Sequence, residues 1–283
     1  MTRQLLARLL VVLACVTIVL ALVVGYVKRA AIDSDQFANR ATAALRDDSV
    51  QSLAAERITD EVVKNQENLL AARPIIESIA SSVVGSGAFT DLFRSAVRDV
   101  HRAVFDRDQN TVTLTVKDVG TVLAAGLQQV RPALADQVGA TERVELVKRD
   151  LGSVSGDAVR VADRIRLLAL VLLVLSLLLV AGALTAARDK RQTVVQLGIG
   201  TAVASVLLVV VYSVARSLAI DQVDGPENRA AAGAVWDAFL LDLRTAAWIL
   251  AGAGAVIAAA AASLIRPVDL REPLQWLGAW LVT

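Results

Sequence analysis

The chain contains a single histidine, His101, the side chain most often used for proton transfer and metal binding near neutral pH. A metal site or a histidine-activated nucleophile would have to rest on this one residue. Asp99 and Asp106 lie near it, but no second histidine and no cysteine follows at the spacing of metal ligands. A lone histidine on a helix is more often packed or hydrogen-bonded. We therefore expect no metal, no cofactor and no catalytic residue.

Two other sequence patterns could indicate catalysis, a glycine-rich segment and pairs of adjacent carboxylates. The Gly-Ser-Gly sequence at 85–87 lacks the lysine and the preceding strand of a phosphate-binding loop, which favours a turn between helices. Adjacent carboxylates occur at 47–48 and 60–61, where glycosidase-like chemistry would need a cleft, and solvated helix starts explain both pairs. We predict that the protein is not an enzyme. The enzymatic alternative is an outer-face hydrolase built around His101.

Composition indicates a membrane protein. Hydrophobic residues make up 55% of the 283 residues and the mean hydropathy is +0.57, whereas average globular chains are about 45–50% apolar. The net charge of +1, without a basic stripe, excludes a nucleic-acid partner. The single cysteine, Cys15, excludes an intramolecular disulfide. Its surroundings resemble a lipidation motif, but the apolar run continues past it to Val27, which favours a buried thiol.

Residues 165–187 are the clearest membrane-spanning segment, because they contain no ionisable side chain after Arg166. A helix rises about 1.5 Å per residue, so about 20 residues cross the hydrocarbon core of a bilayer. We predict further spans within 1–29, at 193–215 and at 245–265. In the first, the apolar run is longer than that of a cleaved signal peptide and no Ala-x-Ala site follows, which favours an uncleaved span.

The distribution of basic residues predicts that both termini lie in the cytoplasm and that the protein resides in a bacterial plasma membrane. The short inner segments carry Arg3, Arg8, Arg188, Lys190, Arg191, Arg266 and Arg271. The outer loop has three arginines balanced by five carboxylates. The predicted segments are a cytoplasmic N-terminus with the first span (1–29), an extracytoplasmic domain (30–164), a cytoplasmic loop (188–192), an outer loop with an amphipathic helix (216–244) and a cytoplasmic tail (266–283).

The extracytoplasmic segment reads as a mostly helical, mildly acidic domain, with 20 acidic and 16 basic residues between 33 and 164. Asp33 or Ser34 can cap a first helix, and a second can begin at 47–49. Apolar residues at helical spacing predict another helix from 89 to 105. We expect these helices to supply most of the core of this domain.

A change of hydrophobic period interrupts the helical pattern. Strict alternation at 111–117 predicts a strand, and 144–147 offers a second. From about residue 153 a helix should run unbroken into the second span. The predicted fold is mainly α: a four-helix transmembrane bundle and a helix-rich extracytoplasmic domain with a minor two-stranded β element.

The predicted spans contain few side chains that could bind or transfer ions. Spans two, three and four have no ionisable residue in their cores, which argues against a proton- or ion-driven pump. Small residues let membrane helices approach closely, and our candidates for helix packing are Gly252, Gly254 and Ala258. Aromatic residues with amphipathic rings prefer the membrane interface, and our candidate anchors are Tyr26, Trp236, Trp276 and Trp280.

The segment Phe89-Thr-Asp-Leu-Phe93-Arg-Ser-Ala96-Val-Arg98-Asp-Val-His101, which follows an aspartate-rich start after the first span, resembles a known group of sequences. These are actinobacterial multi-pass integral membrane proteins of uncharacterised function with a helical extracytoplasmic domain between the first two spans. Phe93 stands where those proteins commonly have tryptophan. The resemblance implies the architecture described above and no particular activity.

These observations favour a non-enzymatic membrane protein whose outer domain binds a partner, an envelope component or a signal. The alternative is an accessory or channel-like subunit of a transport complex. The expected partners are the lipid bilayer, another membrane or envelope protein, and a second copy of the chain.

Overall fold

The structure, a computed structural model, describes residues 2–64, 67–105 and 152–263. All of its regular elements are helices: α1 (Thr2–Val27), α2 (Ser34–Leu45), α3 (Asp48–Lys64), α4 (Arg73–Val84), α5 (Gly87–Phe105), α6 (Gly152–Ala186), α7 (Lys190–Asp221) and α8 (Pro226–Ser263). A π-helical turn, Lys28–Ile32, follows α1, and a 3₁₀ turn, Glu67–Ala72, precedes α4. The described residues contain no strand. The strands predicted at 111–117 and 144–147 lie outside them, so the two-stranded element gains no support.

Four helices are long and apolar enough to cross a membrane: α1, α6, α7 and α8. The predicted four-span, multi-pass architecture agrees with this finding. Helix α6 runs unbroken from Gly152, as predicted. Helix α8 differs from the prediction, because the expected amphipathic helix and the fourth span form one helix of 38 residues. After Pro226, which is tolerated in a first helical turn, no proline interrupts it.

The chain divides into two compact units. We call Met1–Val23, Ala169–Val211 and Arg244–Thr283 the bundle, and Val24–Leu168 with Tyr212–Leu243 the head. Each of the four long helices contributes residues to both units. The helical parts within the bundle are 2–23, 169–186, 190–211 and 244–263, each 18 to 22 residues long.

Small residues make many of the helix contacts in the bundle, together with a few larger apolar ones. Its core cluster contains Val11, Ala14, Cys15, Ala183 and Leu197. Helices α7 and α8 meet at glycines, since a Cβ atom on Gly198 would lie 2.6 Å from the Gly254 carbonyl oxygen. Large apolar side chains are mostly exposed on these four helices.

The head has a conventional core of larger apolar residues. Helix α2 packs on α5, and α3 packs on α4. Leu45, Val83, Val84 and Phe89 form the main cluster. Short side chains begin the helices: the Asp33 carboxylate accepts a hydrogen bond from the Gln36 N–H, which satisfies a free donor in the first turn of α2.

The second helix of the head begins in the same way. Asp47 accepts a hydrogen bond from the Ser49 N–H at 3.0 Å, just before α3. The Ser49 hydroxyl donates to the same carboxylate and is the larger cause of a pKa of Asp47 below its usual value, and the Ser49 N–H lowers the pKa further. The predicted starts of both helices, at 33–34 and 47–49, are therefore confirmed.

Candidate functional site

The head brings several polar and aromatic side chains together where α2 and α5 meet the continuation of α1 and the first half of α8. We call this place the junction and define it by Tyr26, Arg40, His101 and Phe239 with their partners. It begins at the π turn after α1, where Asp33 takes an extended conformation (φ −76°, ψ 114°) and starts α2. Such a break leaves carbonyl groups of the preceding turn in need of other partners.

His101 supplies one of those partners. Its Nε2 lies 3.1 Å from the Ala31 carbonyl oxygen, and its Nδ1 lies 3.0 Å from the Ser34 Oγ. A carbonyl oxygen only accepts, so Nε2 carries the proton and donates to Ala31. In the neutral ring Nδ1 then accepts from the Ser34 hydroxyl. The side chain joins α5 to the end of the π turn and to the start of α2.

Aromatic rings enclose the same histidine, which is 7% exposed. The Phe37 ring stacks at 4.4 Å between centroids and the Phe105 ring at 4.5 Å, while Phe37 meets the edge of Phe239 at 5.1 Å. This burial lowers the pKa of His101, since it penalises the charged ring more than the Ala31 carbonyl and the Asp33 carboxylate favour it. The geometry is that of a packed, hydrogen-bonded histidine with both nitrogens engaged.

Arg40 joins α2 to α8. Its side chain is 12% exposed, and Nη1 donates to the carbonyl oxygens of Ala238 and Phe239, both at 3.2 Å. Its Nη2 lies 2.8 Å from the Asp242 carboxylate. The guanidinium also lies 5.2 Å from the centroid of the Tyr26 ring, a favourable cation–π arrangement. One buried cation thereby contacts both the end of α1 and the backbone of α8.

The Tyr26 hydroxyl donates to the same Phe239 carbonyl, so this predicted interfacial residue is hydrogen-bonded within the head. Trp236 lies beside Tyr212, with ring centroids 6.1 Å apart. The other two predicted anchors, Trp276 and Trp280, lie outside the described residues.

A second ion pair lies beside these rings, and it joins α7 to α8. The Arg216 side chain binds the two Asp237 oxygens through Nε at 3.0 Å and Nη2 at 2.8 Å, in the forked geometry that suits a carboxylate. Both side chains are partly exposed, so this pair orients the two helices and adds little stability.

The residues predicted for helix packing have different surroundings. A Cβ atom on Gly254 would lie 2.7 Å from the Gly198 carbonyl oxygen, and one on Gly198 would lie 2.9 Å from the Ala258 Cβ. Gly254 and Ala258 therefore pack within the chain, against α7. A Cβ atom on Gly252 meets nothing within 4 Å, so this residue takes no part in that contact.

Cys15 lies in the bundle core. A Cβ atom on Gly200 would come within 2.6 Å of its Sγ, and the Leu197 carbonyl oxygen is 3.6 Å from the same sulfur. The thiol is buried inside a continuous helix, in the manner expected of a small apolar residue rather than a lipid attachment site.

No cluster that could bind a metal occurs within residues 2–64, 67–105 and 152–263. The predicted site residues missed Arg40, Phe37 and Gly198. Phe37 and Arg40 lie one turn apart on α2, but their partners on α8 are about 200 positions away and give no local signal. For Gly198 a signal was present, since Gly198-Ile-Gly200 places two small residues in a span.

Comparison of the chain with protein-family models, with curated proteins and with solved structures finds no match in any of the three. What the protein does is therefore argued from its own residues.

Proposed function

We propose that the protein is a non-enzymatic, multi-pass protein of a bacterial plasma membrane, with both termini in the cytoplasm. Its head lies on the outer side and binds a partner protein, an envelope component or a chemical signal. Binding there is transmitted to the membrane-spanning helices through the junction.

The bundle supports the membrane part of this proposal. Its helical segments of 18 to 22 residues match the length of about 20 residues that crosses a hydrocarbon core of about 30 Å. Small residues fill its contacts while leucine, valine and isoleucine face outward. This distribution suits lipid as the solvent, because apolar side chains gain nothing by leaving hydrocarbon and small residues allow close helix contact.

The basic residues support the orientation. The end of α7 next to α6 and the connection between them carry Arg188, Lys190 and Arg191 beside a single aspartate, Asp189. The other end of α7 and the connection to α8 carry Asp221 and Asp224, and residues 217–228 contain no lysine or arginine. Loops rich in lysine and arginine remain in the cytoplasm. The chain enters and leaves the head at the opposite ends of the spans, which supports an outer position for the head.

The observation that carries the functional proposal is the bonding of Arg40 and His101. The short helices are not joined to the long ones by a flexible linker alone, since α2 holds the backbone of α8 and α5 holds the turn after α1. A partner that shifts α2 or α5 must therefore strain contacts to the long helices. Differential contacts of this kind are what coupling between two sites requires.

Single cysteines in intact cells test the orientation. In a Cys15→Ala background, Ser78→Cys on the exposed surface of the head should react with a membrane-impermeant maleimide, whereas Arg188→Cys, exposed between α6 and α7, should react only after lysis. Labelling of position 188 in intact cells, or protection of position 78 until lysis, would contradict the proposal.

Photo-crosslinking in native membranes tests the binding role. A crosslinking amino acid at Ser78 or Asp91, both exposed on the head, should capture a discrete partner identified by mass spectrometry. The matched control carries the same group at exposed Leu177 of the bundle, where lipid is the expected contact. Equal protein adducts from all three positions, or none from the head, would argue against an outer binding domain.

A further inference from the structure

We propose that His101 is a pH-responsive latch, whose protonation releases α5 from the π turn after α1 and from the start of α2. This inference rests on the proposed function in one respect, which is that the head faces the variable pH outside the cell. The latch regulates the same junction that transmits binding.

The latch depends on the protonation state of one ring. While neutral, the ring donates through Nε2 to the Ala31 carbonyl and accepts through Nδ1 from the Ser34 hydroxyl. A proton added to Nδ1 turns this acceptor into a donor, so the Ser34 hydroxyl must give up its own donated hydrogen bond. Phe37 and Phe105 cover the ring faces and keep away the water that would solvate a charge.

Within residues 2–64, 67–105 and 152–263, no carboxylate is hydrogen-bonded to the ring. On the side of α2, Asp33 is the acidic group that acts on His101, and its carboxylate already caps α2. Asp35 binds Arg98 and Arg102 of α5, at 3.8 and 3.2 Å. The π turn contributes Lys28 and Arg29, which are exposed. From α8 the contact is apolar, through Phe239 and Phe37.

The direction of the effect follows from linkage. Burial sets the pKa of His101 in the closed junction below its usual value near 6.5, whereas in an opened junction the ring titrates near that value. The opened form therefore binds the proton more tightly. Its population rises as the pH falls below about 6.5, by up to about tenfold per pH unit, until the closed form is protonated as well. Above 6.5 the latch is fully closed.

The experiment uses the full chain in lipid nanodiscs without a histidine tag. Because His101 is the only histidine, NMR of ring-labelled protein reports its titration without ambiguity. Hydrogen–deuterium exchange, expressed as protection factors that remove the intrinsic pH dependence, is followed at 28–37 and 98–105. We expect neutral Nε2–H signals down to below pH 6.5, and protection in both segments that falls as the pH is lowered from 6.5 to 5, by up to about tenfold per pH unit.

The control variant is His101→Gln, which keeps a donor but cannot titrate in this range. Its protection in both segments should be independent of pH. A wild-type ring that titrates at or above 6.5, or wild-type protection that does not change with pH, overturns the proposal; both are read on the unmodified chain and stand even if the variant fails to fold. The cysteine labelling described above tests only the orientation of the protein, and the titration and exchange measurements test only the latch. An error in one proposal is therefore distinguishable from an error in the other.

Discussion

The bundle and the head use apolar residues in opposite ways. In the head, large side chains such as Leu45, Val84 and Phe89 are buried. In the bundle, most buried residues are alanine, glycine, serine or threonine, with Val11, Leu197 and Val209 as larger exceptions, while most leucines and valines are on the outside. Among the short helices of the head, the exposed large apolar residues are Leu70, Ile75 and Val100. The same chain therefore folds by two rules, water expelling apolar groups in one unit and close backbone contact holding the other.

The comparison predicts its largest effect at the glycine contact of the bundle. Gly198→Leu should destabilise the protein by more than about 3 kcal/mol, because its Cβ atom would clash with the α8 backbone and no side-chain rotation relieves that overlap. Thermal unfolding in mild detergent measures it. Gly252→Leu is the matched control and should leave unfolding unchanged, since its Cβ atom meets nothing within 4 Å. Equal loss in both variants would contradict the α7–α8 contact.

Truncating a leucine to alanine should reduce the free energy of unfolding more in the head than on the surface of the bundle. Leu45→Ala, at a position 5% exposed, should cost about 2–4 kcal/mol of unfolding free energy. Leu177→Ala, at a position 63% exposed on α6, should change it by less than about 0.5 kcal/mol. Denaturant unfolding of both variants measures the difference. If Leu177→Ala cost as much as Leu45→Ala, the outward leucines would be part of a packed core.

Substitution in the junction should have an intermediate effect on the free energy of unfolding. Arg40→Met keeps the length of the side chain but removes the bonds to the Ala238 and Phe239 carbonyls and leaves the Asp242 carboxylate without this partner, so we expect a loss of about 1.5–3 kcal/mol. Arg102→Met, which breaks the exposed pair with Asp35, should cost less than about 1 kcal/mol. Faster hydrogen exchange at 234–243 in the first variant alone would locate the effect; exchange unchanged there would remove Arg40 as the connection to α8.

The smallest effect concerns the start of α3. The pKa of Asp47 is held below its usual value, so the capping bond contributes stability above about pH 3.8 that is lost as the pH falls through the lower, folded-state pKa. Asp47→Asn, which still caps, should abolish this acid-dependent part with little change at neutral pH. Circular dichroism against pH measures it. An unchanged acid transition would show that the Asp47 carboxylate is not responsible.

Local features were predictable from the sequence and distant pairings were not. The starts of α2 and α3, the turn at 85–87 and the long apolar helices follow from capping residues, glycine and hydropathy, all of which act within a few residues. The junction joins positions 26–40, 101 and 239, and no local pattern links them. His101 was identified as a packed residue, but its role in holding Ala31 could be recognised only once α5 lay beside the π turn.

The continuity of α8 was also not predictable, for a different reason. An amphipathic stretch followed by an apolar one looks like two elements in sequence, because the hydrophobic pattern changes while the helix continues and no proline marks the boundary. The turn before it was well marked in sequence, and Gly225 adopts φ +83°, a conformation that favours glycine. In sequence, Gly252 and Gly254 both indicate a helix contact, but only Gly254 lies against another helix.

The π turn at Lys28–Ile32 has a genetic consequence. A π turn closes its hydrogen bonds over one residue more than an α turn does. Deleting a single codon there would remove the extra residue and restore ordinary winding, so the chain beyond the turn would keep nearly the same rotation about the helix axis. Ser34, Phe37 and Arg40 would then stay close to their bonding positions, whereas deleting one codon within α1 would rotate them by about 100°. The π turn is therefore the place after α1 where loss of one residue should disturb the contacts of the head least.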